Sequence, residues 1–143
     1  MTKSQKILAI GAAHIDRRGR ISGNYVPAAS NVGTMREDVG GNAFNALCCA
    51  VRRGASGSLL SVRGGDAPAE RVSLAIAAAG IVDLSAVFLD RPTPSHTVLL
   101  DRDGATIAGL ADMGLYDLAL PKQIRRAKVR EAITAADAIL CDP

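Results

Sequence analysis

The feature that most narrows the fold of this chain is an ordered alternation of strand-length apolar runs with helical patterns. Ile7-Leu8-Ala9-Ile10, closed by Gly11, has the continuous apolarity of a strand buried on both faces. A helical pattern from Asn42 to Arg53 stops at Gly54, and Ser58-Leu59-Leu60-Ser61-Val62 supplies the next strand. Asp66 and Pro68 open a second helix, along which Val72, Ala75, Ile76 and Ala79 recur at helical spacing up to Gly80. Ser85 to Leu89, His96 to Leu100 and Ala105 to Leu110 read as short strands, the last two joined by the turn Asp101-Arg102-Asp103-Gly104. Pro121 is expected to open a last helix reaching about Ala136, and Ala138-Ile139-Leu140-Cys141 to begin another buried strand. A repeated strand-then-helix order implies a parallel sheet with helices on its faces.

Two stretches fall outside that scheme. Arg18 to Val26 and Gly33 to Val39 are extended in pattern but too polar for central strands, and are expected to form exposed hairpin or lid strands. The chain also stops at Asp142-Pro143, immediately after an apolar strand, with no covering helix. A parallel sheet ending there leaves an open edge, so the expectation is the N-terminal part of a longer protein.

Composition excludes several classes. The 143 residues are one domain's worth, 48% hydrophobic with 3% aromatic and no Trp, which fits a packed α/β protein and not a disordered or base-stacking one. A net charge of +3 is too mild to indicate nucleic acid, and the basic residues Lys122, Arg125, Arg126, Lys128 and Arg130 lack interleaved aromatics. Cys48, Cys49 and Cys141 match neither a disulfide framework nor zinc spacing, and read as buried thiols in a reducing compartment. The apolar run after Lys6 is too short for a signal segment, and no stretch reaches membrane-spanning length. A cytoplasmic location is expected, with neither membrane nor nucleic acid as partner.

The segment that points to chemistry is Gly40-Gly41-Asn42-Ala43-Phe44-Asn45-Ala46, a diglycine running into a helix. Paired glycines let a ligand approach the main chain, and the free N–H groups of a helix start favour oxygen-rich partners. Asn42 and Asn45 fall on neighbouring positions of one helix face, and their amides suit hydroxyl groups. The segment equally admits a plain reading, a turn with Asn42 as an ordinary N-cap.

Three motifs in order reach a family. Gly11-Ala12-Ala13-His14-Ile15-Asp16, the diglycine segment, and Ser61-Val62-Arg63-Gly64-Gly65-Asp66 together resemble the PfkB, or ribokinase-like, carbohydrate kinases. The pseudouridine kinase branch is similar at Ser30-Asn31-Val32-Gly33, at Ser95-His96-Thr97-Val98-Leu99-Leu100-Asp101 and at Ala111-Asp112-Met113-Gly114-Leu115. The resemblance implies a three-layer αβα sandwich with a mostly parallel sheet and a small β lid, present here as its N-terminal half. The lid strands would span about 17–39 and 93–108.

It further implies ATP-dependent phosphorylation of a sugar or nucleoside hydroxymethyl group. ATP and Mg²⁺ are the implied cofactors, with their sites outside this chain. Asp16 matches the carboxylate that accepts hydrogen bonds from two sugar hydroxyls; otherwise it is a loop carboxylate beside Arg17 or Arg18. Gly40 and Gly41 match the family diglycine, and Asn45 its helix asparagine. His14 stands where the family often has asparagine, Asn42 where many members carry lysine or glycine, and His96 would lie on a lid strand facing a base or solvent.

The family's catalytic aspartate, in a Gly-Ala-Gly-Asp motif, would fall beyond Pro143. Asp66, in the earlier glycine-aspartate motif, is expected to cap a helix instead. No Walker loop occurs. The rival reading is a non-catalytic interaction or regulatory module, and exposed lid strands invite pairing into a homodimer.

Overall fold

The computed structural model describes residues 4–142, so Pro143 lies outside the described residues. The first sheet is parallel and has the order β10-β1-β4-β6, built from β1 (Lys6–Ile10), β4 (Ser56–Leu60), β6 (Val82–Asp83) and β10 (Ala138–Cys141). Its central strands are as apolar as their sequences require: Leu8, Ala9, Leu59 and Leu60 are all buried. Helices α1 (Asn42–Arg52) and α2 (Ala67–Ala78) close over one side. Phe44 and Leu47 of α1 and Val72 and Ile76 of α2 share one cluster with Ala9 and Leu59. Helix α4 (Ala127–Ala135) packs on β1, with its Val129 fully buried.

The second sheet has the order β3-β2-β8-β9 and is mixed. It is built from β2 (His14–Ile21), β3 (Gly33–Gly40), β8 (Ser95–Leu100) and β9 (Thr106–Asp112). The β2–β3 and β8–β9 pairs are antiparallel, and β2 runs parallel to β8. Most of β3 is exposed, as its polar sequence requires, and most of β9 is exposed although its sequence is largely apolar. Glu37 of β3 ties this sheet to the helical layer: it accepts from Arg17 at 2.7 Å and pairs with Arg71 of α2. A small third sheet joins β5 (Val62–Gly64) to β7 (Ala86–Phe88).

Four expectations are corrected. Ser58 to Val62 is not one strand: β4 ends at Leu60, Gly11 donates to the Leu60 carbonyl, and the chain leaves at Ser61 to enter another sheet as β5. Strand β2 begins at His14 rather than near Arg18, so His14 and Asp16 are strand residues and not loop residues. Pro121 does not open the last helix; it sits inside α3 (Gly114–Gln123), which stops two residues after it. Proline cannot donate to the carbonyl one turn back, so the helix is weakest there, and a fresh start at extended Arg126 makes α4. Finally, β10 is exposed along its length, because among the described residues it pairs with β1 alone and none covers its outer edge.

Candidate functional site

The carboxyl end of β1 and the start of β2 meet the beginning of α1, and the chemistry-bearing residues gather there. Gly41 is the N-cap of α1 with φ 109°, a value that side chains disfavour, and a Cβ on it would overlap the Ala12 carbonyl. No side chain caps this helix, so the reading of Asn42 as an ordinary N-cap does not hold. The amide of Phe44 donates to Ala12 O at 3.2 Å, and Asn42 reaches sideways, its Nδ2 donating to Asp142 Oδ1 at 3.3 Å.

Asp16 is gripped from two directions. His14 Nε2 lies 3.0 Å from Asp16 Oδ1, and because the ionised carboxylate only accepts, Nε2 carries the donated proton. A Cβ on Gly40 would overlap the Asp16 carboxylate, so glycine there is what lets the group lie against the β2–β3 backbone. The Asp16 side chain keeps 22% of its exposure against 10% for His14, which leaves the carboxylate as the accessible member of the pair.

Below them, the Tyr116 hydroxyl accepts from Ala13 N and donates to Ala13 O, both at 3.0 Å. Its ring stands edge-on to His14 at 6.4 Å. Burial pushes the Tyr116 phenol up to about 12, so it remains a neutral donor near neutral pH.

The sequence-derived candidates therefore divide. Asp16, His14 and Gly40 form one contact group, and Gly41 and Asn42 border it through Ala12 and Asp142. Asn45 stands exposed further along α1. His96 is the register partner of Asp16 on β8, so it faces the same side of the sheet.

Two residues were missed. Tyr116 is 103 positions from Ala13, and no local pattern announces that contact. Asp142 accepts from Ala12 N at 3.2 Å and from Asn42. It had a signal: it follows a parallel strand next to β1, at the strand ends where α/β sheets place ligands.

Asp66 caps α2 as expected, accepting from Ala69 N at 3.1 Å, and also takes the Thr93 amide at 2.9 Å. Burial opposes ionisation most strongly, yet the hydrogen bonds from Thr93 and Ala69 outweigh it and hold the carboxyl below the usual range. The basic run lies at the α3–α4 junction, where Arg126 donates to Leu84 O at 2.7 Å. Among the described residues no three metal-ligating side chains gather, and no helix is long and apolar enough to cross a membrane.

Solved structures share this arrangement. A carbohydrate kinase from Agrobacterium tumefaciens is 47% identical with TM-score 0.89, the match covering 96% of this chain and 45% of that one. A ribokinase from Giardia lamblia matches at 14% identity and TM-score 0.81, with 96% and 44% covered. An Arabidopsis thaliana ribokinase solved with ribose and ATP matches at 17% identity and TM-score 0.79, with 97% and 45% covered. The latter two show the fold alone, which is ribokinase-like α/β, and the chain spans less than half the length of all three. No curated protein matches the chain. The pfkB family carbohydrate kinase model matches residues 4–140, nearly the whole sequence, and on that ground the chain belongs to the pfkB family of carbohydrate kinases.

Proposed function

We propose that the protein carrying this chain transfers the γ-phosphoryl group of ATP to a hydroxymethyl group of a sugar or nucleoside, with pseudouridine the first acceptor to test. The acceptor oxygen forms a bond to the γ-phosphorus, the bond from that phosphorus to the ADP oxygen breaks, and the hydroxyl proton passes to a base. The observation that carries this reading is the Asp16 carboxylate, fixed by His14 and seated on Gly40 beside an uncapped helix start.

The residues described here bind and orient; they do not transfer. Asp16 accepts hydrogen bonds from two acceptor hydroxyls, and His14 holds it in the orientation that receives them. Gly40 and Gly41 keep the main chain open to the sugar, and Asn42 and Asn45 offer amide donors and acceptors from α1. ATP bound with Mg²⁺ supplies the phosphoryl group and its charge neutralisation. The second sheet acts as a lid over the acceptor, and its exposed Met35 and Leu110 form the face through which two copies pair in the cytoplasm.

The test uses protein expressed from its complete reading frame, assayed with ATP against pseudouridine, ribose, fructose and adenosine. Two hydrogen bonds to a charged group at about 1.5–3 kcal/mol each place the loss in kcat/KM for Asp16→Asn at about 100-fold or more. Unchanged kinetics in that variant would remove Asp16 from the site. Ligand binding without phosphoryl transfer to any acceptor favours the rival reading of a non-catalytic binding module.

A further inference from the structure

The helix start beside Asp16 is served by a negative charge that α1 does not supply itself. Helix α1 has no side-chain cap and no acidic residue in its first turn, although the positive end of its dipole lies at the site. Asp142 brings the charge from 100 positions away: its Oδ1 accepts from Asn42 Nδ2 at 3.3 Å, and its Oδ2 from Ala12 N at 3.2 Å. One carboxylate thus holds both the segment leading into β2 and the first residue of α1.

The group that does this is itself fixed. The Asp142 amide donates to Ile10 O at 2.9 Å, which carries the β1–β10 ladder one residue past β10. A Cβ on Gly11 would overlap the Asp142 Cβ, so glycine at 11 is what lets the side chain lie over the end of β1. Burial pushes the Tyr116 phenol up, and the Asp142 and Asp16 charges push it further, so both carboxylates lie near the hydroxyl that ties Ala13. Ala12 and Ala13, the two residues before the His14–Asp16 pair, are therefore held in turn by Asp142 and Tyr116.

The same contact sets which way the Asn42 amide points. A carboxylate only accepts, so the atom against Asp142 is Nδ2, and the amide oxygen is left over on an exposed residue at the helix start. We propose that Asp142 is a positioning residue for the acceptor: through Asn42 Nδ2 it turns the amide oxygen toward the ligand, and through Ala12 N it steadies the segment that carries Asp16. The inference rests on the kinase reading of Asp16 and extends it to a residue that does not touch the acceptor. A hydroxyl of the acceptor donates to Asn42 Oδ1, and the charge on Asp142 polarises the amide so that this oxygen accepts more strongly.

The pair can be inverted without changing its charge. In Asp142→Asn the new amide oxygen takes the Ala12 N–H, its NH₂ faces Asn42, and the Asn42 amide turns over, which removes its oxygen from the acceptor. Asn42→Asp sets two carboxylates against each other. With both substitutions the amide at position 142 still accepts from Ala12 N and donates to the carboxylate at position 42, whose second oxygen faces the acceptor.

The experiment measures kcat and KM with ATP for pseudouridine, ribose, fructose and adenosine, using protein from the complete reading frame, and follows the acceptor that the unsubstituted protein turns over best. Asn42→Asp is expected to raise KM for that acceptor about tenfold or more and Asp142→Asn about threefold or more, with KM for ATP held within about twofold. The double variant is expected to return to within about threefold of the unsubstituted protein, where independent effects would multiply to about thirtyfold. A double variant no better than that product overturns the inference, as does a melting temperature that recovers while KM for the acceptor does not. A KM for ATP that rises in step with that for the acceptor also overturns it, since it marks a framework role. Should Asn42→Asp fail to fold, Asp142→Asn decides alone: a raised acceptor KM with ATP unaffected upholds the inference, and an unchanged one overturns it. If no acceptor is phosphorylated, it is the kinase reading that fails. Thermal shift with the same four compounds then decides the role of Asp142 separately: stabilisation lost in each single variant and regained in the double variant upholds it, and stabilisation by none, or kept in both singles, overturns it.

Discussion

The two four-stranded sheets of this chain are held by different forces. In the parallel sheet Leu8, Ala9, Leu59 and Leu60 are at most 1% exposed, and α1, α2 and α4 cover them. In the second sheet Ile15 and Ile21 are buried, but Met35 is 58% and Leu110 70% exposed, and backbone pairing, the Arg17–Glu37–Arg71 contacts and a close fit of glycine against carboxylate add to its order. The first sheet is stable because it excludes water. The second gives up part of that stabilisation and keeps polar groups accessible, which is what the proposed grip on hydroxyls would require. The candidate site lies where the two meet, between the end of β1 and the start of β2.

That contrast breaks most sharply with paired truncations. Leu59→Ala removes a fully buried side chain from the parallel sheet and is expected to cost about 2–5 kcal/mol. Met35→Ala on the second sheet is expected to stay within about 0.5 kcal/mol. Urea unfolding of both variants checks this, and comparable losses would mean that the second sheet is covered in solution.

A smaller effect sharpens the junction itself. Tyr116→Phe removes the hydroxyl that serves both Ala13 N and Ala13 O, leaving a buried peptide group without its partner. The expected loss is about 1–3 kcal/mol. It should come with weaker acceptor binding, because the segment leading into His14 and Asp16 loses its support. A fall in melting temperature with no change in KM would make Tyr116 a packing residue only.

What could be read from the amino-acid order follows the same division. The parallel layer was legible because Ile7 to Ile10 and the Val72–Ile76 face carry their burial in local periodicity, and Asp66 announced itself by preceding Pro68 at a helix start. Gly40 and Gly41 read in the sequence as an approach for a ligand to the main chain, and what the structure shows is the close intramolecular contacts that require glycine there, with the Asp16 carboxylate and the Ala12 carbonyl. The role of Tyr116 was not legible, since it depends on how α3 docks against a segment 103 residues earlier. Nor was the split at Ser61, where apolar residues continue while the hydrogen-bond partner changes sheets. Pro121 misled because a proline one turn from a helix end resembles one at a helix start.

The smallest expected effect concerns the tie between α2 and the segment that leads into β8. Asp66 accepts from Ala69 N, Thr93 N and the Thr93 hydroxyl, and its carboxyl is held below the ordinary value of 3.8. A lowered value means that the folded state favours the charged form. The contribution is therefore complete above pH 3.8 and fades as pH falls through the depressed folded value. Asp66→Asn retains a capping oxygen but loses the charge, so it should cost about 1 kcal/mol near neutrality. The gap in melting temperature between the two proteins should close in acid, where the wild-type carboxyl is protonated too. A gap that persists well below pH 3.8 would show that Asp66 acts through hydrogen-bond geometry and not through its charge, and the link between the two sheets would then be insensitive to pH.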